Sequence, residues 1–178
     1  MLSIGTIIEG THIQREIIAA CLEAADRELS EAPGSITEDG TDLEDAINDY
    51  DMLIDDLIPP AALNENGHPF WGSDRSFEAM AVVEHLMQEL CPPYTYFGTL
   101  EGDGACFGVW ADIERLEEEA RFGGEVLKVS DLSELDDPDG PLKRDSEYTH
   151  VMHVNDHGNV TLYALSWKPK LTEQWAVV

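Results

Sequence analysis

Between Glu28 and Asp74 the chain holds 13 acidic residues and not one Lys or Arg. Such a stretch can fold only if its apolar residues gather on one side, because unpaired carboxylates are too costly to bury. That segregation is present. Leu43, Ala46, Ile47, Tyr50, Ile54, Leu57 and Ile58 recur three or four residues apart. The spacing predicts an amphipathic helix over 42–58, stopped by Pro59-Pro60. Thr41 and Glu44 stand at capping-box distance, where each side chain can satisfy a backbone donor at the helix start. Opposite the apolar stripe lie Asp42, Glu44, Asp45, Asp49, Asp51, Asp55 and Asp56. At ~1.5 Å rise per residue these seven carboxylates span ~21 Å, or one per ~3 Å. One DNA strand presents a phosphate every ~3.4 Å.

Two further helices are expected around this one. Ile13, Ile17, Ile18, Ala20, Cys21, Ala24 and Ala25 predict a helix over 11–29, with Thr11 and Gln14 as a second capping box. Phe77 to Leu90 is apolar on more than one face and predicts the most buried helix, 73–91, ended by Pro92-Pro93. Between them Phe70-Trp71 is expected to fold back onto the core. After Pro93 the period changes to strands near 94–100, 105–110, 125–129, 148–154, 160–165 and 174–178. Asp112 should cap a short helix carrying Ile113, Leu116 and Ala120, closed by Gly123-Gly124. The expected class is α+β, with N-terminal helices packed on a C-terminal, mostly antiparallel sheet of about five strands. The chain reads as a single domain over 1–178, with a helical part at 1–92 and a sheet part at 93–178.

Charge narrows the function. The 178 residues carry 37 acids against 10 Lys and Arg, for a net charge of −27. Residues 147–178 contribute only −1, so the acidity belongs to particular surfaces. The field repels nucleic acid and anionic membranes and favours basic partners. Hydrophobic residues make up 43% of the chain, which excludes a wholly disordered acidic tail. Cys21, Cys91 and Cys106 are too few and too scattered for a disulfide framework or a zinc site and read as reduced core residues. The N-terminus lacks a secretory pattern and no apolar run approaches membrane-spanning length, so a cytoplasmic location is expected, that of a host if the chain is phage-encoded.

The run from Phe97 through Glu101-Gly102-Asp103-Gly104 to Trp110, and Val154 to Tyr163 through Asn155-Asp156-His157-Gly158-Asn159, resemble small uncharacterised proteins of phage and bacterial genomes. In composition the chain is also similar to acidic DNA-mimic anti-restriction and anti-CRISPR proteins of phages. The first resemblance covers the C-terminal half and implies no activity. The second implies an acidic inhibitor.

The residues offer enzymatic chemistry only weakly. His153, Asp156 and His157 have metal-ligand and acid–base side chains, but Asn, Asp and Gly are also what the turn they flank requires. His150 alternates to the other strand face from His153. Glu101-Gly-Asp-Gly104 lacks the ligand pattern of a calcium loop, and no nucleophile elbow or phosphate-cradling loop occurs. The expectation is therefore a non-enzymatic protein with no cofactor and no metal. Its carboxylates would stand in for nucleic-acid phosphates and block a basic nucleic-acid-binding protein or nuclease, such as a restriction or CRISPR nuclease. Two alternatives stay open. One is a protein-binding module using the C-terminal sheet, with Tyr148, Tyr163, Trp167 and Trp175, and acidity for solubility or salt adaptation. The other is a small hydrolase built on the His157 turn. A homodimer is compatible with any of them.

Overall fold

The computed structural model describes residues 1–31, 43–65, 67–136, 147–166 and 170–178. The class is α+β. The chain divides into two compact units, Met1–Trp110 and Ala111–Val178. The division falls after the second strand beyond Pro93, so the first sheet strands share a unit with the helices.

In the first unit the order is β1 (Gly5–Ile8), α1 (Gln14–Glu31), α2 (Leu43–Leu57), α3 (Pro60–Asn64), α4 (Asp74–Glu89), β2 (Thr95–Leu100) and β3 (Asp103–Ala111). The strands form a sheet of order β1-β3-β2. A two-residue turn at 101–102 joins β2 to β3, with Gly102 at φ +84° supplying the left-handed conformation such a turn requires. Strand β1 pairs antiparallel with β3, Gly5 opposite Val109 and Thr6 opposite Gly108.

One apolar core holds this unit together. It contains Ile17, Ile18, Cys21, Ala24 and Ala25 of α1, Ile47 and Ile54 of α2, Ala79, Met80, Val83, Leu86 and Met87 of α4, and Val109 of β3. Ile18, Leu86 and Met87 are wholly buried, each contributing about 1.5–3 kcal/mol of hydrophobic stabilisation. Phe70 is buried and Trp71 half-buried, the indole donating to the Ala62 carbonyl at 3.0 Å, so this pair does fold back onto the core. Helix α4 is buried along one face only: Phe77 on its flank is 60% exposed.

Polar bonds fix the helix starts. Ser73 caps α4, its hydroxyl accepting from the Ser76 amide at 3.3 Å. Buried Ser76 accepts from the Gly72 amide at 2.9 Å and lies 3.0 Å from the Gln14 side-chain oxygen, tying the beginnings of α1 and α4 together. Gln14 is thereby drawn away from Thr11, and the expected capping box between them does not form. Instead the Thr11 hydroxyl accepts from the Ile13 amide at 3.1 Å and donates to Glu16 at 2.7 Å.

The second unit holds α5 (Ile113–Glu118), a π-helical turn (Glu119–Gly123), β4 (Val126–Val129), a 3-10 turn (Leu132–Asp136), β5 (His150–Val154), β6 (Val160–Leu165) and β7 (Leu171–Val177). Asp112 caps α5 by accepting from the Arg115 amide at 3.0 Å, Leu116 turns inward, and Gly124 at φ +89° ends the π turn. The sheet order is β4-β5-β6-β7. The hairpin 148–165 forms as β5–β6, His150 opposite Ala164 and Val154 opposite Val160. Strand β4 pairs parallel with β5, Val126 opposite His150 and Val129 opposite His153. In place of one sheet of about five strands, the described residues form one sheet of three and one of four.

Gly108 gives this architecture a sharp test. A Cβ there would collide with the Gly5 carbonyl oxygen and meet the Trp110 ring at 2.9 Å. Backbone cannot yield as a side chain can, so Gly108→Ala should displace β1 and cost about 1–3 kcal/mol in chemical denaturation. An unchanged midpoint would contradict the β1–β3 register.

Candidate functional site

Helix α2 sorts its residues by a single rule. Ile47 and Ile54 are buried, Tyr50 and Leu57 half-buried, and just past the helix Ile58 is buried as well. Glu44, Asp45, Asp49, Asp51, Asp55 and Asp56 are all exposed. Asp42 and Thr41 lie outside the described residues. The helix is fixed against α4 at two points. Arg75 donates to the Asp56 carbonyl at 2.8 Å, and the Tyr50 ring meets the His85 ring edge-on at 5.9 Å. Later residues of one helix thus meet earlier residues of the other, so α2 and α4 run antiparallel.

At about 100° per residue, the exposed acids fall into two rows rather than one even series. Glu44, Asp51 and Asp55 share one edge of the helix; Asp45, Asp49 and Asp56 share the other. Successive acids within a row stand four or seven residues apart, about 6 or 10 Å along the axis. The spacing of ~3 Å read from the sequence is therefore a projection that interleaves the two rows. Between them lie Asn48 and Met52.

Among the described residues, cations form no ion pair with Asp45, Asp49, Asp51, Asp55 or Asp56. Arg15 donates to the Leu63 carbonyl at 3.3 Å and Arg75 to the Asp56 carbonyl, so both serve backbone acceptors near helix ends. Among the described residues the ion pairs are the Met1 amino group with Glu28, Arg15 with Glu16, His85 with Glu89, Lys128 with Glu117 and His157 with Asp156. Asp45, Asp49, Asp51, Asp55 and Asp56 appear in none. The Asp51 carboxyl is pushed above its ordinary range, first by partial burial and then by the charges of Asp26 on α1 and Asp55 one turn on.

The other candidates arrange themselves differently. The His157 turn is organised by Asn155, whose side-chain oxygen accepts from the His157 amide at 2.9 Å and the Asn159 amide at 3.0 Å. His157 and Asp156 approach to 3.6 Å with side chains 80% and 86% exposed, so nothing desolvates them. His150 lies 2.9 Å from the Thr149 hydroxyl, and no three metal-competent side chains converge among the described residues. At Glu101-Gly-Asp-Gly104, Asp103 accepts from the Ala105 amide at 3.0 Å, a bond that shapes the turn. Cys21, Cys91 and Cys106 are free and buried, and burial followed by the Glu84 charge pushes the Cys21 thiol up to about 12. The aromatic set on the C-terminal sheet does not form one exposed surface: Trp175 is buried, Tyr148 and Tyr163 are half-buried, and Trp167 lies outside the described residues.

Two features escaped the sequence reading. Asp131 and Glu134 form a reciprocal cap, with Glu134 accepting from the Asp131 amide at 2.8 Å and Asp131 from the Ser133 amide at 2.8 Å. Those bonds hold both carboxyls below their usual range. The signal was an acidic residue three positions before Glu, inside what reads as a loop. The second is an open depression of about 220 Å³ lined by Glu114, Glu117, Glu118 and Arg121 at the π turn, for which the sequence had no signal.

No helix among the described residues is long and apolar enough to cross a membrane. Comparison with protein-family models, curated proteins and solved structures finds no match to the chain.

Asp51 supplies a pH test of the combined cost of burial and like-charge neighbours. Its folded carboxyl titrates above the ordinary 3.8, so the stability it contributes is full below that value and lost as pH rises through the raised one. At pH 7 the charged group is a net liability, and Asp51→Asn should raise stability by about 0.2–0.5 kcal/mol. Thermal melts should show that gain near neutrality and its disappearance in acid. A gain that persists below the ordinary carboxyl range would contradict a cost that comes from charging Asp51.

Proposed function

We propose that the chain is a non-enzymatic inhibitor or decoy whose α2 carboxylates occupy a basic groove on a nucleic-acid-handling protein. The observation that carries this reading is the pair of exposed acidic rows on a helix whose opposite side is locked into a core. A basic groove that binds a nucleic-acid backbone gains much of its affinity from Lys and Arg meeting phosphates. Fixed carboxylates can meet the same groups, and unlike a phosphodiester they offer no bond to cleave. Because the rows sit on a packed helix, little ordering entropy is lost on binding. A restriction or CRISPR nuclease is one target with such a groove.

Salt adaptation would acidify the whole surface, whereas residues 147–178 carry a net charge of only −1. The sheet of the second unit offers a weaker surface, because Trp175, the kind of side chain that anchors interfaces, is already buried.

The experiment is retention of host proteins on the immobilised chain, compared with the variant carrying Asp45→Asn, Asp49→Asn, Asp51→Asn, Asp55→Asn and Asp56→Asn. All five sites are exposed, so the variant should fold. Wild type should retain nucleic-acid-binding proteins at low salt, and duplex DNA or raised salt should release them. The variant should retain at least about tenfold less, a loss near 1.4 kcal/mol. Equal retention by the variant, or a partner that holds the chain and DNA together without competition, would contradict the proposal.

A further inference from the structure

The acidic face of α2 is not wholly polar. Met52 is 67% exposed and Leu53 53% exposed, although the buried side of the same helix has an ordinary apolar stripe. Their positions are not incidental to the charges. On a helix the surface neighbours of a residue are those three and four places away. For Met52 these are Asn48, Asp49, Asp55 and Asp56; for Leu53 they include Asp49 and Asp56. The row Asp45-Asp49-Asp56 is therefore bracketed by Met52 on one flank and Leu53 on the other. Met52 thus lies between the two acidic rows and Leu53 beyond the second, so apolar side chains alternate with carboxylates across this exposed face.

The geometry points to an arginine-bearing protein surface as the occupant of this face, with guanidinium groups on the carboxylates and their methylene stems against Met52 and Leu53. This rests on the reading of α2 as the contact surface and adds the chemistry of the partner. Charge fixes the sign: a second copy of the chain or a nucleic acid would bring like charge to both rows. The apolar side chains select within basic partners. A guanidinium pairs with carboxylate in bidentate fashion, is weakly hydrated, and leaves its stem free to cover apolar surface. Lysine has a stem at least as long, but its compact, strongly hydrated ammonium resists the desolvation that apolar neighbours impose.

The test uses the full chain and two labelled probes of equal charge, deca-arginine and deca-lysine, with binding read by fluorescence anisotropy at about 0.3 M salt, where screening weakens purely coulombic attraction. Wild type should bind deca-arginine more tightly. The variant Met52→Gln with Leu53→Gln keeps the charge and substitutes a good helix former at exposed sites, which circular dichroism can verify. It should lose about tenfold in deca-arginine affinity, with deca-lysine changed by less than about twofold. The single change Met52→Gln should show the same selectivity with about threefold loss. An arginine preference that both variants leave intact, or an equal loss for both peptides, would overturn the inference. The variant Asp45→Asn, Asp49→Asn, Asp56→Asn separates the two ideas. If it weakens both peptides while the glutamine variants change nothing, only the arginine inference fails. If it binds both as wild type does, the α2 surface itself is wrong.

Discussion

The packing of one apolar stripe makes the rest of the first unit's surface sustainable. Ile47, Ile54 and Ile58 are driven out of water against the core shared with α1 and α4, and that burial holds a helix whose remaining side chains repel one another. Each fully buried aliphatic side chain is worth about 1.5–3 kcal/mol, whereas a like-charge neighbour on a helix surface costs about 0.2–0.5 kcal/mol. The comparison decides the matter. Three buried isoleucines outweigh the mutual repulsion of the exposed acids, so the helix can hold more negative charge than its own propensity would support.

How the scarce cations are placed reinforces this. Arg15 pairs loosely with Glu16 of its own helix, and the hydrogen bonds of Arg15 and Arg75 go to the Leu63 and Asp56 carbonyls rather than to the α2 carboxylates. Such bonds satisfy carbonyl groups near helix ends and clip loops in place. They stabilise the fold and leave Asp45, Asp49, Asp51, Asp55 and Asp56 without an ion pair among the described residues. Asp51 shows both effects at one residue, its carboxyl raised first by partial burial and then by the charges of Asp26 and Asp55. Elsewhere carboxylates are put to structural use: Asp112 caps α5, and Asp131 and Glu134 cap the 3-10 turn.

What the chain disclosed in advance follows the range over which its signals act. Helices α1, α2 and α4 and the β5–β6 hairpin were legible because period and turn chemistry are local. Gly5–Ile8 was not, since four residues give too short a pattern and their pairing partner lies about a hundred positions away in β3. The parallel alignment of β4 with β5 was hidden for the same reason, and so was the division of the strands between two sheets. Thr11 shows the limit of motif spacing: Gln14 had the right separation for a capping box, but buried Ser76 supplied a competing partner. The acids of α2 were visible at once, whereas their sorting into two rows around Met52 required the angular period rather than the linear count.

Carboxyl footprinting of the chain alone and in complex with a retained nucleic-acid-binding protein addresses the central claim most directly. Water-soluble carbodiimide labels exposed carboxylates, and mass spectrometry reads each site separately. Asp45, Asp49, Asp55 and Asp56 should label readily in the free chain and be shielded together in the complex. Exposed acids of the second unit such as Glu118 should label equally in both. Full labelling of the α2 rows in the complex, with protection falling on the second unit instead, would contradict it.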